Sequence, residues 1–152
     1  MTLLERRQVE AGIFLAMYTT LLREMEPLKA LDTVARAVAE LAEQAGRDFA
    51  AQAPDGPNFA HFCSVFELWR GSGSLDIADL NVEGNRVSFS VTRCAYVEAY
   101  RHMDLPDELA VLLSCARDEP FAKGYSPNIV MERPETIAEG APSCPFSFIW
   151  RP

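Results

Sequence analysis

Arg86-Val87-Ser88-Phe89-Ser90-Val91-Thr92-Arg93 alternates polar and apolar side chains at nearly every step. Alternation of period two over this length marks a strand with one buried face, because a helix would scatter these side chains around its axis. Glu83-Gly84-Asn85 just upstream is turn chemistry, and Leu75 to Val82 precedes it, so 75–93 reads as a β-hairpin. The hydrophobic period changes on the N-terminal side of this hairpin. There Ile13, Phe14, Met17, Tyr18, Leu21, Leu22 and Met25 fall at helical spacing. Pro27 suits the first turn of a second helix, whose apolar positions Leu28, Leu31, Val34, Ala35, Val38, Leu41 and Ala42 repeat until Gly46. Asn58 is a good N-cap for a third helix, with Phe59, Phe62, Cys63, Phe66 and Trp69 on one face and Gly71-Ser72-Gly73 as its end.

Beyond the hairpin, Cys94 to Tyr100 predicts a short helix. Pro106 and Asp107 open another, with Leu109, Leu112, Leu113 and Ala116 inward. Asp118 to Asn128 is rich in turn formers and reads as a loop. Two strands follow, near 128–138 and 143–151, joined by Gly140-Ala141-Pro142; in the last, Cys144, Phe146, Phe148 and Trp150 share a face. The expectation is an α+β fold in a single domain, 1–152. Its helical half, about 1–72, packs on an antiparallel sheet in the half from about 73 to 152.

Composition restricts the function. With 152 residues, 49% hydrophobic and 24% charged, the chain has the make-up of a folded globule. Its net charge of −8 disfavours binding to nucleic acid or to an anionic membrane surface, both of which need a basic face. Met1-Thr2-Leu3-Leu4-Glu5-Arg6-Arg7 breaks into charge at once, unlike a secretory leader, so a cytoplasmic setting is expected. Cys63, Cys94, Cys115 and Cys144 are then read as free thiols. The absence of any CxxC pair disfavours a zinc ribbon, although three of the cysteines converging as Cys₃ metal ligands stays open. No metal and no other cofactor is expected. The wide apolar stripes of the first helices predict a homodimer through them.

The residues able to carry chemistry are few. His61 lies beside an apolar helix face and His102 near a helix end, both positions that suit structural roles. Cys63 falls in an aromatic stripe and reads as packing. Cys94 stands at a strand-to-helix turn, where a helix N-terminus lowers a thiol pKa. Cys115 ends a helix beside Arg117 and Asp118, and Cys144 opens the last strand. Glu98 falls one helical turn after Cys94, so Glu98 or Asp118 is a candidate general base. Arg93, Arg117 and Arg133 are candidates to hold a substrate carboxylate through a two-donor fork.

Several runs are familiar as a set: Arg93-Cys94-Ala95-Tyr96-Val97-Glu98-Ala99-Tyr100-Arg101, Ser114-Cys115-Ala116-Arg117-Asp118, Gly124-Tyr125-Ser126-Pro127-Asn128-Ile129, Arg133-Pro134-Glu135-Thr136-Ile137, Gly140 and Cys144-Pro145-Phe146. In this order and spacing they resemble the L-2-amino-thiazoline-4-carboxylic acid hydrolase family. The resemblance implies a hydrolase that opens a cyclic amidine-type ring, acting on a carbon–nitrogen bond and giving N-carbamoyl-cysteine. The site expected for it combines Cys94, Cys115 and Cys144 with Glu98 and Asp118. Tyr96, Arg93, Arg117, Arg133 and Thr136 are expected to contact the substrate. The ending Thr136-Ile137, Gly140, Cys144, Phe146 is also similar to four-vinyl-reductase-type ligand-binding domains. That second resemblance implies an alternative, a non-catalytic module that binds or senses a small apolar or aromatic molecule.

Overall fold

In the computed structural model, which describes residues 1–152, the hairpin forms as its alternation requires. Strand β1 (Leu75–Glu83) pairs antiparallel with β2 (Arg86–Cys94), and Gly84 takes the positive φ of +58° that the turn needs. Val87, Phe89 and Val91 are buried on one face of β2. β4 (Cys144–Trp150) pairs on the other side of β2, setting Phe89 opposite Phe146 and Val91 opposite Cys144. β3 (Ile129–Glu132) completes a four-stranded sheet of order β1-β2-β4-β3, antiparallel throughout. β3 stops short of the expected 138, because Pro134 cannot donate to a ladder. The segment after it turns through a short 3₁₀ helix, Ile137–Glu139, closed by Gly140 at φ +100°.

The helical half is as expected in kind, with its buried face rotated. Helix α1 (Leu3–Leu22) starts at a Thr2/Glu5 capping box and buries Ala11, Phe14 and Tyr18. Ile13 and Met17, part of the expected stripe, are exposed. Helix α2 (Pro27–Ala50) buries Ala30, Val34, Val38, Ala42, Gly46 and Ala50, a repeat of four dominated by small residues, while Leu28 and Leu41 face outward. Gly46 therefore does not end α2; the helix runs one turn beyond it. The expected third helix is two short pieces, α3 (Phe59–Cys63) and α4 (Val65–Trp69), broken at Ser64; the Asn58 side chain caps α3 by accepting from His61 N–H at 2.9 Å.

Helix α5 (Ala95–His102) follows β2 directly, and α6 (Asp107–Ser114) follows Pro106, burying Leu109, Ala110 and Leu113; Ala116, expected inward, is exposed. The expected loop 118–128 is largely a helix, α7 (Asp118–Tyr125). Acidic residues and Pro120 sit in its first turn, where neither disturbs a helix. Gly124, which read as a turn former, is instead a contact point. A side chain there would collide with the Glu43 carbonyl of α2, and one at Gly46 would collide with the Phe121 carbonyl of α7. Two glycines thus let the backbones of α2 and α7 touch.

Two apolar clusters result. One joins the sheet face to α3, α4 and α7 around Phe62, Phe66, Phe89 and Phe148. The other joins α1, α2, α5 and α6 around Phe14, Val34, Tyr100 and Leu109. No helix is long and apolar enough to cross a membrane.

Candidate functional site

A cavity lies between the two clusters, with Phe89, Val91 and Phe146 of the sheet on one side and Tyr100 and Leu113 of the helices on the other. Its free volume is about 110 Å³, and fifteen of its twenty lining residues are hydrophobic. That volume is on the scale of the roughly 150 Å³ apolar cavity known to hold benzene, so one small ring is the natural occupant.

Three elements bring the cysteines to this cavity. Cys94 ends β2, Cys115 follows α6, Cys144 opens β4, and all three line the wall. Cys63 packs against the sheet cluster and does not line it. The thiols differ electrically from the sequence reading. Burial pushes Cys94 up to about 11, although the backbone N–H groups of Val97 and Tyr96 at the start of α5 pull the other way. Helix N-terminal stabilisation is present there and desolvation exceeds it. Burial also raises Cys115 against the opposing hydrogen bond of Ser114, and raises Cys144 against the N–H of Ile137, which donates to its Sγ at 3.1 Å. No set of three or more His, Cys, Asp or Glu side chains is arranged to hold a metal ion.

Asp118 lines the cavity at the start of α7. Its Oδ2 accepts from Arg133 Nη1 at 2.5 Å. Burial pushes the carboxyl up to about 6, and the guanidinium groups of Arg133, Arg117 and Arg7 restrain the rise. A carboxyl poised near neutrality at a cavity wall is what proton transfer requires. Arg117 and Arg133 both line the cavity. Arg117 is buried, donating from Nε to the Leu113 carbonyl at 2.8 Å and from Nη2 to Glu10 at 3.2 Å. The Arg133 guanidinium lies 5.2 Å above the Phe146 ring centroid. Tyr96 lines the cavity with its hydroxyl already donated to the Trp69 carbonyl at 2.9 Å.

Three of the expected site residues stand elsewhere. Glu98 and Arg93 form a half-exposed ion pair at 2.7 Å, outside the cavity. The expected Cys94–Glu98 pairing fails because Cys94 is the N-cap of α5, with extended φ/ψ (−130°, 106°), and so does not follow the helical register. Thr136 is buried behind the wall, where its hydroxyl accepts from Glu139 N–H at 3.2 Å and caps the 3₁₀ helix. Conversely, Arg7 lines the cavity from α1 and shares Glu10 with Arg117, donating to it at 2.6 Å. Leu3, Arg7, Ala11, Phe14 and Tyr18 share one helical face, so an arginine on a buried stripe was the available signal.

The family model described as L-2-amino-thiazoline-4-carboxylic acid hydrolase matches residues 6–148, which includes the helical half. No curated protein matches in sequence. Among solved structures, the phenol-responsive sensory domain of the transcription activator PoxR, determined with phenol, superposes with a TM-score of 0.55 at 13% identity. The match covers 95% of this chain and 74% of that one. At that identity the likeness is one of fold.

Proposed function

The chain belongs to the L-2-amino-thiazoline-4-carboxylic acid hydrolase family, and from that premise we propose that it is a small-molecule hydrolase acting on a ring of the 2-aminothiazoline carboxylate type. The observation that carries this reading is Asp118, a carboxyl pushed up to about 6 at the wall of a ring-sized cavity and held there by Arg133. Its carboxylate accepts a proton from water as the water oxygen attacks the amidine carbon. The resulting carboxylic acid protonates the sulfur that leaves. One water is consumed: its oxygen becomes the carbonyl oxygen on the attacked carbon, its second proton ends on the ring nitrogen as the C=N bond becomes single, and the C–S bond breaks. N-Carbamoyl-cysteine keeps both nitrogens on the attacked carbon, so the bond cleaved is carbon–sulfur, and the expected carbon–nitrogen cleavage does not balance with that product.

In this proposal the thiols of Cys94, Cys115 and Cys144 act as neutral groups shaping the wall, because burial raises all three and a thiolate is the attacking form of cysteine. A turnover assay on the aminothiazoline carboxylate tests this directly. Wild type is expected to release N-carbamoyl-cysteine, and Cys94→Ala, Cys115→Ala and Cys144→Ala are each expected to keep turnover within about tenfold. Loss of turnover in any one, with its fold intact, would make that cysteine the nucleophile.

The largely apolar wall and the fold likeness to a phenol-responsive sensory domain support a second reading, a ligand-binding module without catalysis. Absence of turnover combined with phenol-dependent thermal stabilisation would favour it.

The proposal also includes a single domain in a cytoplasmic setting, in keeping with four free thiols. It includes a homodimer through α1, where Val9, Ile13 and Met17 are 56%, 58% and 49% exposed at spacings of four. Such a stripe is self-complementary about a two-fold axis. Sedimentation at micromolar concentration is expected to give a dimer that Ile13→Glu converts to monomer; a monomeric wild type would contradict it.

A further inference from the structure

Glu10 touches the site without lining it. Its Oε2 accepts from two guanidinium groups at once: Arg7 Nη1 at 2.6 Å, one turn earlier on α1, and Arg117 Nη2 at 3.2 Å, 107 positions later in the chain. Both arginines line the cavity with Asp118, whereas Glu10 does not. Arg117 is buried and makes a second bond, from Nε to the Leu113 carbonyl at 2.8 Å, which ties its charge to the cavity wall. Burial and the neighbouring Arg7 both work against that charge, and Glu10 offsets them. No other carboxylate forms an ion pair with either arginine.

The charge balance around Asp118 therefore turns on Glu10. Arg133 pairs with Asp118 directly. Arg7 and Arg117 add two positive charges to the same wall, and the single carboxylate of Glu10 stands against both. The other titratable groups facing the cavity are the thiols of Cys94 on β2, Cys115 after α6 and Cys144 on β4, and the phenols of Tyr96 and Tyr100 on α5. Burial raises all five, so they stay neutral where a carboxyl titrates. Helix α2 brings only Ala42 and Ala45. Nearby cations make a carboxyl release its proton more readily, and cations that are already neutralised do so less.

We propose that Glu10 is a positioning residue that, by pairing with Arg7 and Arg117, sets the pH at which Asp118 gives up its proton. The use of that proton in catalysis rests on the hydrolase reading; the charge relation does not. Without the Glu10 charge, Asp118 is the one carboxylate facing three guanidinium groups, and its ionised form is favoured. Without Arg7, Arg117 alone is matched against Glu10, and the protonated form of Asp118 is favoured. The two substitutions act in opposite directions, which a loss of packing does not do.

The test is a carbon-13 NMR pH titration of the Asp118 carboxyl in the wild-type protein and its variants, the resonance being assigned by its loss in Asp118→Asn. Glu10→Gln is expected to lower the titration midpoint by about half a pH unit or more, and Arg7→Gln to raise it by a similar amount. Glu10→Asp, which keeps the charge, is expected to shift it less than Glu10→Gln. In turnover, the acid limb of kcat/KM is expected to move with each midpoint. Midpoints that stay at the wild-type value, or that both variants move in the same direction, would overturn the proposal. If Glu10→Gln does not fold, Arg7→Gln decides the matter alone: a raised midpoint sustains the proposal and an unmoved or lowered one overturns it. The titration uses no substrate. Opposed shifts without turnover would overturn the hydrolase reading and sustain the assignment of Glu10; turnover with unmoved midpoints would do the reverse.

Discussion

Asp118→Asn is expected to lower kcat/KM on the aminothiazoline carboxylate by about 10²–10⁴-fold, the usual contribution of a positioned general acid–base group. Asparagine keeps the shape of the side chain and an oxygen for Arg133 Nη1, but it cannot take up a proton. The loss is therefore one of chemistry and not of fold, and stability shows the difference. The folded-state value of about 6 exceeds the unfolded 3.8, so the native protein holds this proton more tightly than the unfolded chain does. The stability it contributes is present below pH 3.8 and is lost as pH rises through about 6. Asp118→Asn lacks that dependence. Relative to wild type it is expected to gain up to about 3 kcal/mol between pH 4 and pH 7. Thermal melts across this range check the sign. A variant that loses turnover while its stability difference from wild type stays flat with pH would mean that Asp118 is not the raised carboxyl.

Gly46→Ala and Gly124→Ala are expected to carry the largest stability cost of any methyl added to this chain. Each Cβ would meet a backbone carbonyl of the opposing helix, Phe121 for Gly46 and Glu43 for Gly124. Backbone cannot rotate away as a side-chain tip can, so α2 and α7 must separate. Overpacking of this kind costs about 3 kcal/mol or more. The consequence reaches the site, because α2 supplies Ala42 and Ala45 to the cavity wall and α7 supplies Asp118 and Phe121. Gly12→Ala is the internal control. No atom lies within 4 Å of its added Cβ on exposed α1, so there alanine is expected to stabilise by about 0.5–1 kcal/mol through helix propensity. Urea unfolding that ranks Gly46→Ala level with wild type would show that the helices are not in backbone contact.

The same glycines mark where sequence reading stops. The hairpin was legible because period-two alternation depends only on local geometry, and Gly84 stands where a turn needs a positive φ. Helix α7 was not legible: Pro120 and Gly124 carry turn signals, and what makes a helix there is a close approach to Gly46, seventy-odd positions earlier. The cavity was partly legible. Cys94, Cys115, Cys144, Asp118, Tyr96, Arg117 and Arg133 meet at it, whereas Glu98 was placed by assuming that Cys94 obeys the register of a helix it only caps. Arg7 was hidden by its place in a charged N-terminal run. The Cys94 thiol, expected to be depressed, is raised instead, because dipole and burial oppose each other and only the folded chain sets how much water is excluded.

The most direct test of the account is the pH dependence of kcat/KM for hydrolysis of L-2-amino-thiazoline-4-carboxylate by the wild-type protein. The expected profile is flat above neutrality and falls tenfold per unit on the acid side, with an apparent pKa of about 6 set by Asp118. A profile that instead rises towards pH 9–11 as a buried thiol ionises, or a rate no greater than that of buffer at any pH, would contradict it.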